Sequence, residues 1–191
     1  QYGGAGFGPQ ELAIACEEMG RALYCGPFMA SAVCAAYALS QTADDDHKQR
    51  WLPEIANGNL IACLAVTEHA SMWSEDDVQT VASSSPDGGH VLNGQKRFVI
   101  DAQVAGLILV AARNGENQIG LYAVEANARG LTRKAMPSMD PTRKLNQLIL
   151  AATPAEHLGP VDLQDLMDYT LVALANEMIG GAQTLLQSAL D

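Results

Sequence analysis

The stretches LIACLAVTEH, residues 60–69, and HVLNGQKRFVID, residues 90–101, decide the fold. The first is an unbroken apolar run that ends at Thr67 and Glu68, and the second starts as a strand, turns at Asn93-Gly94 and then resumes. Apolar runs bounded in this way predict buried strands. A strand end that offers a hydroxyl and backbone amides, close to cations and an aromatic plane, is suited to a flat anionic cofactor.

Composition limits the class of protein. The chain has 191 residues, of which 48% are hydrophobic, and this is enough for a core in one or two domains. Its formal net charge is −11 with a pI near 4.6, and its lysines and arginines form no run longer than a pair. The charge argues against nucleic acid or an anionic membrane surface as a partner. We attribute the acidity to solubility.

The cysteines indicate a reducing compartment. They lie in apolar surroundings without Cys-x-x-Cys spacing, which predicts packed thiols and neither a disulfide nor a metal centre. They are Cys16, Cys25, Cys34 and Cys63. We therefore expect a cytoplasmic protein. No segment reaches about 18 consecutive apolar residues, and residues 1–10 lack the regions of a signal peptide, so we expect neither a membrane span nor export.

Residues 1–58 predict a helical domain. Its opening GGAGFG follows no visible strand and lacks a Lys-Ser/Thr pair, so we expect a surface loop, with a phosphate-binding loop as the less favoured alternative. Apolar spacing then predicts a helix from Pro9 to about Tyr24, a buried helix over residues 28–39 and a third helix that stops at Gly58. Pro53 should break or kink this third helix at Leu52.

Residues 59–158 predict a β domain, because the periodicity changes to short strands separated by turn residues. The turn signals indicate hairpins and an antiparallel sandwich or small barrel. They are Pro86-Asp87-Gly88-Gly89, Asn93-Gly94, Asn114-Gly115 and Arg129-Gly130. Residues 159–191 predict the first helix of a C-terminal bundle, so the fold class is α+β. Because this helix has no C-cap or return segment, we expect the chain to be a piece of a longer protein.

Several segments together resemble the acyl-CoA dehydrogenase family, whose subunits combine a helical domain, a middle β domain and a helical bundle. The resemblance is carried, in the family's order, by QYGGAGFGPQELAIACEEMGRAL, CGPFMASAV, HKQRWLPEIANGNLIACLAVTE, VLNGQKRFVID, MPSMDPTRKL and LANEMIGGAQ. It covers the whole chain, whereas a full-length family member has further N-terminal helices and most of a C-terminal bundle.

The resemblance implies FAD as the cofactor, held against the middle domain. In the family, main-chain groups and a threonine hydroxyl bind the flavin at the strand end that matches Leu64, Val66 and Thr67. A Trp-Ile-Thr segment flanks the flavin at the positions that match Phe98 and Ile100. These five residues are the expected cofactor-binding set. The alternative is that Phe98 and Ile100 belong to an ordinary strand core.

Two segments depart from the family pattern. The usual Pro-Gly-Ala-Gly-Ser-Asp is His-Ala-Ser-Met-Trp-Ser at residues 69–74, where Ala70, Met72 and Trp73 do not allow the same close backbone approach to the cofactor. Ile100 replaces a threonine whose hydroxyl bonds the N5 edge of the flavin. Such a hydrogen bond contributes about 0.5–1.5 kcal/mol net.

The activity that the resemblance implies is α,β-dehydrogenation of an acyl-CoA thioester. A carboxylate removes the α proton while a hydride leaves the β carbon for flavin N5, and the electrons pass to an electron-transfer flavoprotein. Family members are commonly tetramers built as dimers of dimers. Two functions stay open: a FAD-dependent flavoenzyme, or a catalytically silent subunit that completes the site of an active partner chain. A pure binding module is a third, less favoured interpretation.

No catalytic base is expected within this chain. Most family members carry their glutamate base beyond the point where this sequence stops, and a minority carry it at the position that matches Thr170, which cannot accept the proton. Glu177 is expected to be a packing or interface residue, and Glu68 a strand-end residue bonded to neighbouring backbone. Lys96 and Arg97 are expected to be solvated.

Two structural expectations follow. Val66, Thr67 and Phe98 should line one concave face where the β domain meets the helices, on neighbouring strands. The final helix should associate with other helices or another subunit, because one neighbour cannot bury all of its apolar residues. These residues are Leu166, Val172, Leu174, Ile179 and Leu185.

Overall fold

A computed structural model describes residues 2–69, 75–85 and 88–191. The described helices are α1 (Pro9–Arg21), α2 (Ala36–Thr42), which continues a π-helical segment (Met29–Ala35), α3 (Asp45–Ala56) and α4 (Leu163–Leu190). The strands are β1 (Ala62–Ala65), β2 (Val81–Ser84), β3 (His90–Ile100), β4 (Leu107–Arg113), β5 (Ile119–Glu125), β6 (Leu131–Ala135) and β7 (Leu145–Pro160). The expected α+β order is confirmed. The altered segment at residues 70–74 and the start of the turn at residues 86–89 lie outside the described residues.

Helix α1 ends at Arg21, before the predicted Tyr24. Leu23 adopts a left-handed conformation with φ of 50°. The N–H of Leu23 donates to the carbonyl of Gly20 at 3.1 Å, and the N–H of Tyr24 donates to the carbonyl of Met19 at 2.9 Å. This pair of bonds is a Schellman motif, which satisfies the last carbonyls of the helix and turns the chain away.

Helix α3 is continuous to Ala56, so the expected break at Leu52 is absent. Its N-terminus is capped by Asp44, whose carboxylate accepts the N–H of His47 at 2.9 Å. Pro53 removes one backbone donor from the helix. The carbonyl of Pro53 still accepts the N–H of Asn57 at 3.0 Å, so the helix continues beyond the proline.

The strands form one mixed sheet with the order β1-β4-β2-β3-β7-β5, and β6 pairs with β7. Strand β4 also pairs with β5, which is the last strand in this order. The pairs are antiparallel except that β1 and β2 each run parallel to β4. The expected hairpins between β2 and β3 and between β4 and β5 are confirmed.

Two other expected hairpins are wrong. Asn93-Gly94 is not a turn, because β3 runs through it with a shift of register against β7. Glycine is needed there for close approach: a Cβ on Gly94 would lie 2.8 Å from the Cα of Thr80. Arg129-Gly130 joins β5 to β6, but each of these strands pairs with β7 instead of with the other.

Strand β4 is buried on both faces, which explains its unbroken apolar sequence. Leu107 and Leu109 belong to the core shared with the helices. Ile108 and Val110 belong to a second core that includes residues of β3 and β7. The helices therefore cover one face of β1 and β4, and a pocket lined by Leu64, Val66 and Thr67 lies along this boundary.

The cysteines differ in burial. Cys16, Cys34 and Cys63 are buried free thiols, as expected, whereas Cys25 is exposed because it lies in the loop after α1. In the part of the chain that the structure describes, no helix combines the length and the apolar character needed to cross a membrane.

Candidate functional site

The five residues expected to bind a cofactor line one pocket between the sheet and the helices. Leu64 and Val66 come from β1 and the residue after its end, Thr67 follows, and Phe98 and Ile100 come from the end of β3. The two segments are joined by the N–H of Arg97, which donates to the carbonyl of Thr67 at 2.7 Å. The expected shared face is therefore confirmed. The expectation of neighbouring strands is wrong, because β1 pairs with β4 whereas β3 pairs with β2 and β7, and the two segments meet only beyond the end of β1. Whether these residues contact a cofactor remains a prediction.

A β-bulge exposes Phe98 in this pocket. The pairing of β3 with β7 breaks register between Lys96 and Val99, and Phe98 in between has a φ of 56°. A bulky residue rarely adopts this left-handed conformation, and bulges of this kind often re-aim side chains next to functional sites. Phe98 is 38% exposed, and the guanidinium of Arg97 lies 5.3 Å from the centre of its ring. The bulge thus presents an aromatic plane and a cation side by side.

Lys96 is buried behind the pocket wall, so the expectation that it is solvated is wrong. Its side chain is 0% exposed, and its Nζ donates to Oε1 of Glu68 at 2.7 Å and to the carbonyl of Val66 at 3.0 Å. Burial lowers the pKa of Lys96 to about 8, against the opposing effect of Glu68. A pKa of about 8 leaves the ammonium protonated at neutral pH. Arg97, the other cation, is half-buried at the pocket.

Glu68 joins the end of β1 to the start of β2. Besides the Lys96 ammonium, its carboxylate accepts the N–H of Gln79 at 3.0 Å and the N–H of Thr80 at 2.8 Å. Burial raises the pKa of Glu68, but Lys96 and the Thr80 bonds outweigh this effect and hold the pKa below its usual value. The expectation that Glu68 bonds neighbouring backbone is confirmed. A carboxylate held in this way is a poor proton acceptor.

Helix residues complete the pocket, and of these only Thr170 was connected with the active site by sequence reasoning. Ala30 and Cys34 come from the π-helical segment, and Thr170 comes from α4. The Thr170 hydroxyl donates to the carbonyl of Leu166 at 2.8 Å and lies 3.5 Å from Sγ of Cys34. Burial raises the pKa of Cys34 to about 11, which keeps it a neutral thiol. Helical periodicity marks these residues as core and does not identify which of them meet a strand end.

The acidic candidates lie away from the pocket. Glu177 forms an ion pair with Arg143, and its backbone lies against Gly20 of α1. This agrees with its expected role as a packing residue. Among the described residues that line the pocket there is no Asp or Glu, and Thr170 occupies the position from which an acid would reach it. The described part of the chain therefore offers no carboxylate to a ligand in this pocket.

The side chains fit one face of a flavin. Leu64, Val66 and Ile100 supply apolar surface, Phe98 supplies an aromatic plane, and Thr67 supplies a hydroxyl and backbone groups. The pocket measures about 50 Å³. Pockets that enclose a whole small ligand typically measure about 300–1,000 Å³. The described residues thus form one wall of such a site.

Comparison with known proteins identifies the family. The model for "Acyl-CoA dehydrogenase, N-terminal domain" matches residues 1–59, and the model for "Acyl-CoA dehydrogenase, middle domain" matches residues 63–150. Acyl-CoA dehydrogenase FadE12 of Mycobacterium tuberculosis is 33% identical over 141 residues, which cover 69% of this chain and 35% of FadE12. The chain thus spans about a third of the length of this curated relative.

Solved structures share the fold. A variant of the steroid ACAD Tcur3481-Tcur3483 has a TM-score of 0.84 and 29% identity, over 97% of this chain and 50% of that chain. The ChsE4-ChsE5 complex from Mycobacterium tuberculosis has a TM-score of 0.85 and 22% identity, over 98% of this chain and 50% of that chain. An acyl-CoA dehydrogenase complexed with FAD from Bacillus anthracis has a TM-score of 0.81 and 22% identity, over 95% of this chain and 33% of that chain. With both domain models matched in order over most of its length, the chain belongs to the acyl-CoA dehydrogenase family.

Proposed function

We propose that this chain is part of a FAD-dependent acyl-CoA dehydrogenase that carries out α,β-dehydrogenation of an acyl-CoA thioester. The observation that carries the proposal is the single pocket that gathers Leu64, Val66, Thr67, Phe98 and Ile100. Residues 1–58 would be the helical domain, residues 59–158 the middle domain, and residues 159–191 the first helix of the C-terminal bundle.

In this proposal the chain binds and orients the cofactor. Val66 and Thr67 would hold the polar edge of the ring through main-chain groups and the Thr67 hydroxyl, and Phe98 would pack beside the ring. Leu64 and Ile100 would exclude water from it. When bound, FAD supplies the hydride acceptor. The α proton requires a base, which the described pocket does not contain, so we expect a carboxylate from elsewhere in the full-length protein.

A catalytically silent subunit is the second candidate. Ile100 offers no hydroxyl to a flavin, the described pocket lacks an acid, and the sequence at residues 69–74 departs from the family's glycine-rich turn. The matches to the ChsE4-ChsE5 complex and to Tcur3481-Tcur3483 support an assembly in which two different chains combine. In that case this chain would complete the active site of its partner.

The absorbance spectrum of the purified full-length protein separates the two candidates. Bound flavin near one equivalent per subunit, together with enoyl product from an acyl-CoA and an artificial electron acceptor, is the result expected of the flavoenzyme. A colourless protein that has no turnover by itself, but raises the turnover of a second acyl-CoA dehydrogenase chain when the two are mixed, identifies the silent subunit. A protein with neither property refutes both.

The partners of the flavoenzyme would follow from its chemistry. The substrate would be an acyl-CoA, and the electrons would pass to an electron-transfer flavoprotein. We expect the subunits to assemble as a homo- or hetero-oligomer, as a dimer of dimers, through helices that include α4.

A further inference from the structure

Lys96, the buried lysine behind the pocket wall, is held in place by Glu68 and the Val66 carbonyl. We propose that Lys96 is a positioning residue for FAD: its ammonium holds and polarises the Val66–Thr67 peptide, which strengthens FAD binding and favours the reduced cofactor. The inference rests on the proposed function. It assigns a task to a side chain that does not itself line the pocket.

The position of the ammonium supports this role. Lys96 Nζ lies 3.0 Å from the carbonyl oxygen of Val66, and Val66 and Thr67 both line the pocket. The cation is therefore separated from the pocket by a single peptide group. It is anchored from the other side by Glu68 at 2.7 Å, and Glu68 is in turn fixed by two backbone N–H groups of the segment before β2.

Peptide geometry gives the direction of the effect. The described chain contains no cis peptide bond, so the Val66 carbonyl and the Thr67 N–H point in opposite directions from the same planar group. An ammonium on the carbonyl draws electron density from the peptide and makes the N–H on its far side a stronger donor. The proposed function places main-chain groups of Val66 and Thr67 on the polar edge of the flavin. A stronger donor there would stabilise the form that carries more electron density, which is the reduced form.

The energetics argue for more than a structural role. Burying two charges loses hydration, and replacing a buried ion pair by neutral side chains is often neutral for stability or stabilising. Here the pair is 0% and 4% exposed at its side chains. A fold that needed only packing at this place would be served by an apolar pair, whereas a polarised strand end requires the cation.

The experiment compares variants of the full-length protein, with any partner chain that copurifies. The variants are Lys96→Met, the double variant Lys96→Met/Glu68→Gln, Glu68→Gln, and Lys134→Met as a matched control at an exposed lysine on β6. The dissociation constant of FAD is measured by titration of the apoprotein, and the midpoint potential by dye-equilibrated titration at pH 7. The double variant removes the cation without leaving an unpaired buried carboxylate, so it covers the case in which Lys96→Met does not fold.

We expect both variants that lack Lys96 to bind FAD at least tenfold more weakly. Their preference for the reduced form should fall about tenfold, which is about 30 mV for a two-electron couple. Glu68→Gln removes the carboxylate that raises the pKa of Lys96, so the ammonium is weakened and the potential should fall by no more than it does in Lys96→Met. Lys134→Met should match the wild type. The inference is overturned if the double variant keeps the wild-type affinity and potential, or if Lys134→Met lowers the potential as much as Lys96→Met. A wild-type protein that binds no FAD, alone or with its partner, refutes the proposed function and this inference with it.

Discussion

Phe98 occupies a left-handed backbone conformation that costs stability. Its left-handed φ of 56° costs about 1–2 kcal/mol for a residue with a Cβ, whereas glycine adopts it without penalty. We expect Phe98→Gly to leave the free energy of unfolding within about 1 kcal/mol of the wild type, because relief of strain offsets the lost contacts of a side chain that is already partly exposed. FAD binding should weaken in the same variant.

Phe98→Ala is the matched control, since it removes the ring but keeps the Cβ. It should weaken FAD binding as much as Phe98→Gly and be less stable than Phe98→Gly by about 1 kcal/mol. Chemical denaturation and FAD titration of the full-length protein measure the two effects separately. A glycine variant that is less stable than the alanine variant would show that the bulge carries no strain.

Glu68 makes the free energy of unfolding depend on pH. Its pKa in the folded protein lies below the ordinary value of 4.5, because Lys96 and the Thr80 bonds outweigh the effect of burial. A carboxylate with a depressed folded-state pKa contributes stability that is present above pH 4.5 and is lost as the pH falls through the folded-state value. We expect Glu68→Gln to be less stable than the wild type at pH 7, and the difference to shrink below pH 4.5.

Thermal unfolding of the full-length protein between pH 7 and pH 3 measures this dependence. Glu116→Gln, at an exposed glutamate in the turn between β4 and β5, is the control and should follow the wild type throughout. A difference between Glu68→Gln and the wild type that is the same at every pH would contradict the proposed linkage.

Sequence reasoning at this scale located the wall of the pocket but not the cation behind it. Val66, Thr67 and Phe98 were predictable because an apolar run that ends in polar residues marks a strand end. Lys96 was not, because a lysine is rarely buried unless it is paired, and its partners, the Val66 carbonyl and Glu68, lie 30 and 28 positions away in sequence.

At the scale of elements, α1 and α4 cross in close contact at two glycines. A Cβ on Gly180 would collide with the backbone carbonyl of Glu17, and a Cβ on Gly20 would collide with that of Glu177. We expect Gly180→Ala to lower the free energy of unfolding by about 1–3 kcal/mol, because the helices must separate. Denaturation of the full-length protein measures this change.

The neighbouring Gly181 provides the control for this crossing. A Cβ there would lie 3.7 Å from the nearest atom, the carbonyl oxygen of Gly20, which is an ordinary contact. Gly181→Ala should raise stability by up to about 1 kcal/mol, because alanine has the better helix propensity. Equal effects of the two substitutions would mean that the crossing tolerates a methyl group.

The helices and strands were largely predictable where the apolar periodicity is strong. They were less predictable where a single glycine or proline suggested a turn or a break. Apolar spacing identified the helices and the strands β4 and β5. Asn93-Gly94 suggested a turn because the pair favours hairpins, yet here the glycine serves the close approach of Thr80. Pro53 suggested a break, but the remaining hydrogen bonds of α3 hold the helix together.

At the scale of the whole molecule, the site is an assembly that no local pattern contains. Cys34 and Thr170 are 136 positions apart in sequence and 3.5 Å apart in space. Only the tertiary packing of α4 against the π-helical segment brings them to the end of β1. For the same reason, a single sequence does not decide between a flavoenzyme and a silent subunit: that choice depends on groups that other helices or another chain bring to this wall.

The apolar surface of α4 leads to a prediction about assembly. Of the residues expected to need further partners, Leu166 is buried within this chain and Leu174 is half-buried. Val172, Ile179 and Leu185 are 59%, 49% and 74% exposed. Other large apolar side chains of the same helix are also exposed, namely Leu171, Met178, Leu186 and Leu190. Several exposed large apolar side chains on one helix mark an interaction surface.

We therefore expect these side chains to be covered in the full-length protein by further helices and by a second subunit. Burial of each leucine would contribute about 1.5–3 kcal/mol, enough in sum to hold subunits together at micromolar concentration. Sedimentation of the full-length protein should show an oligomer, and Leu185→Asp should shift it toward smaller species, while Gln187→Asp, at an exposed polar position of the same helix turn, should not. A wild-type protein that sediments only as a monomer at micromolar concentration would assign the apolar face of α4 to contacts within one subunit.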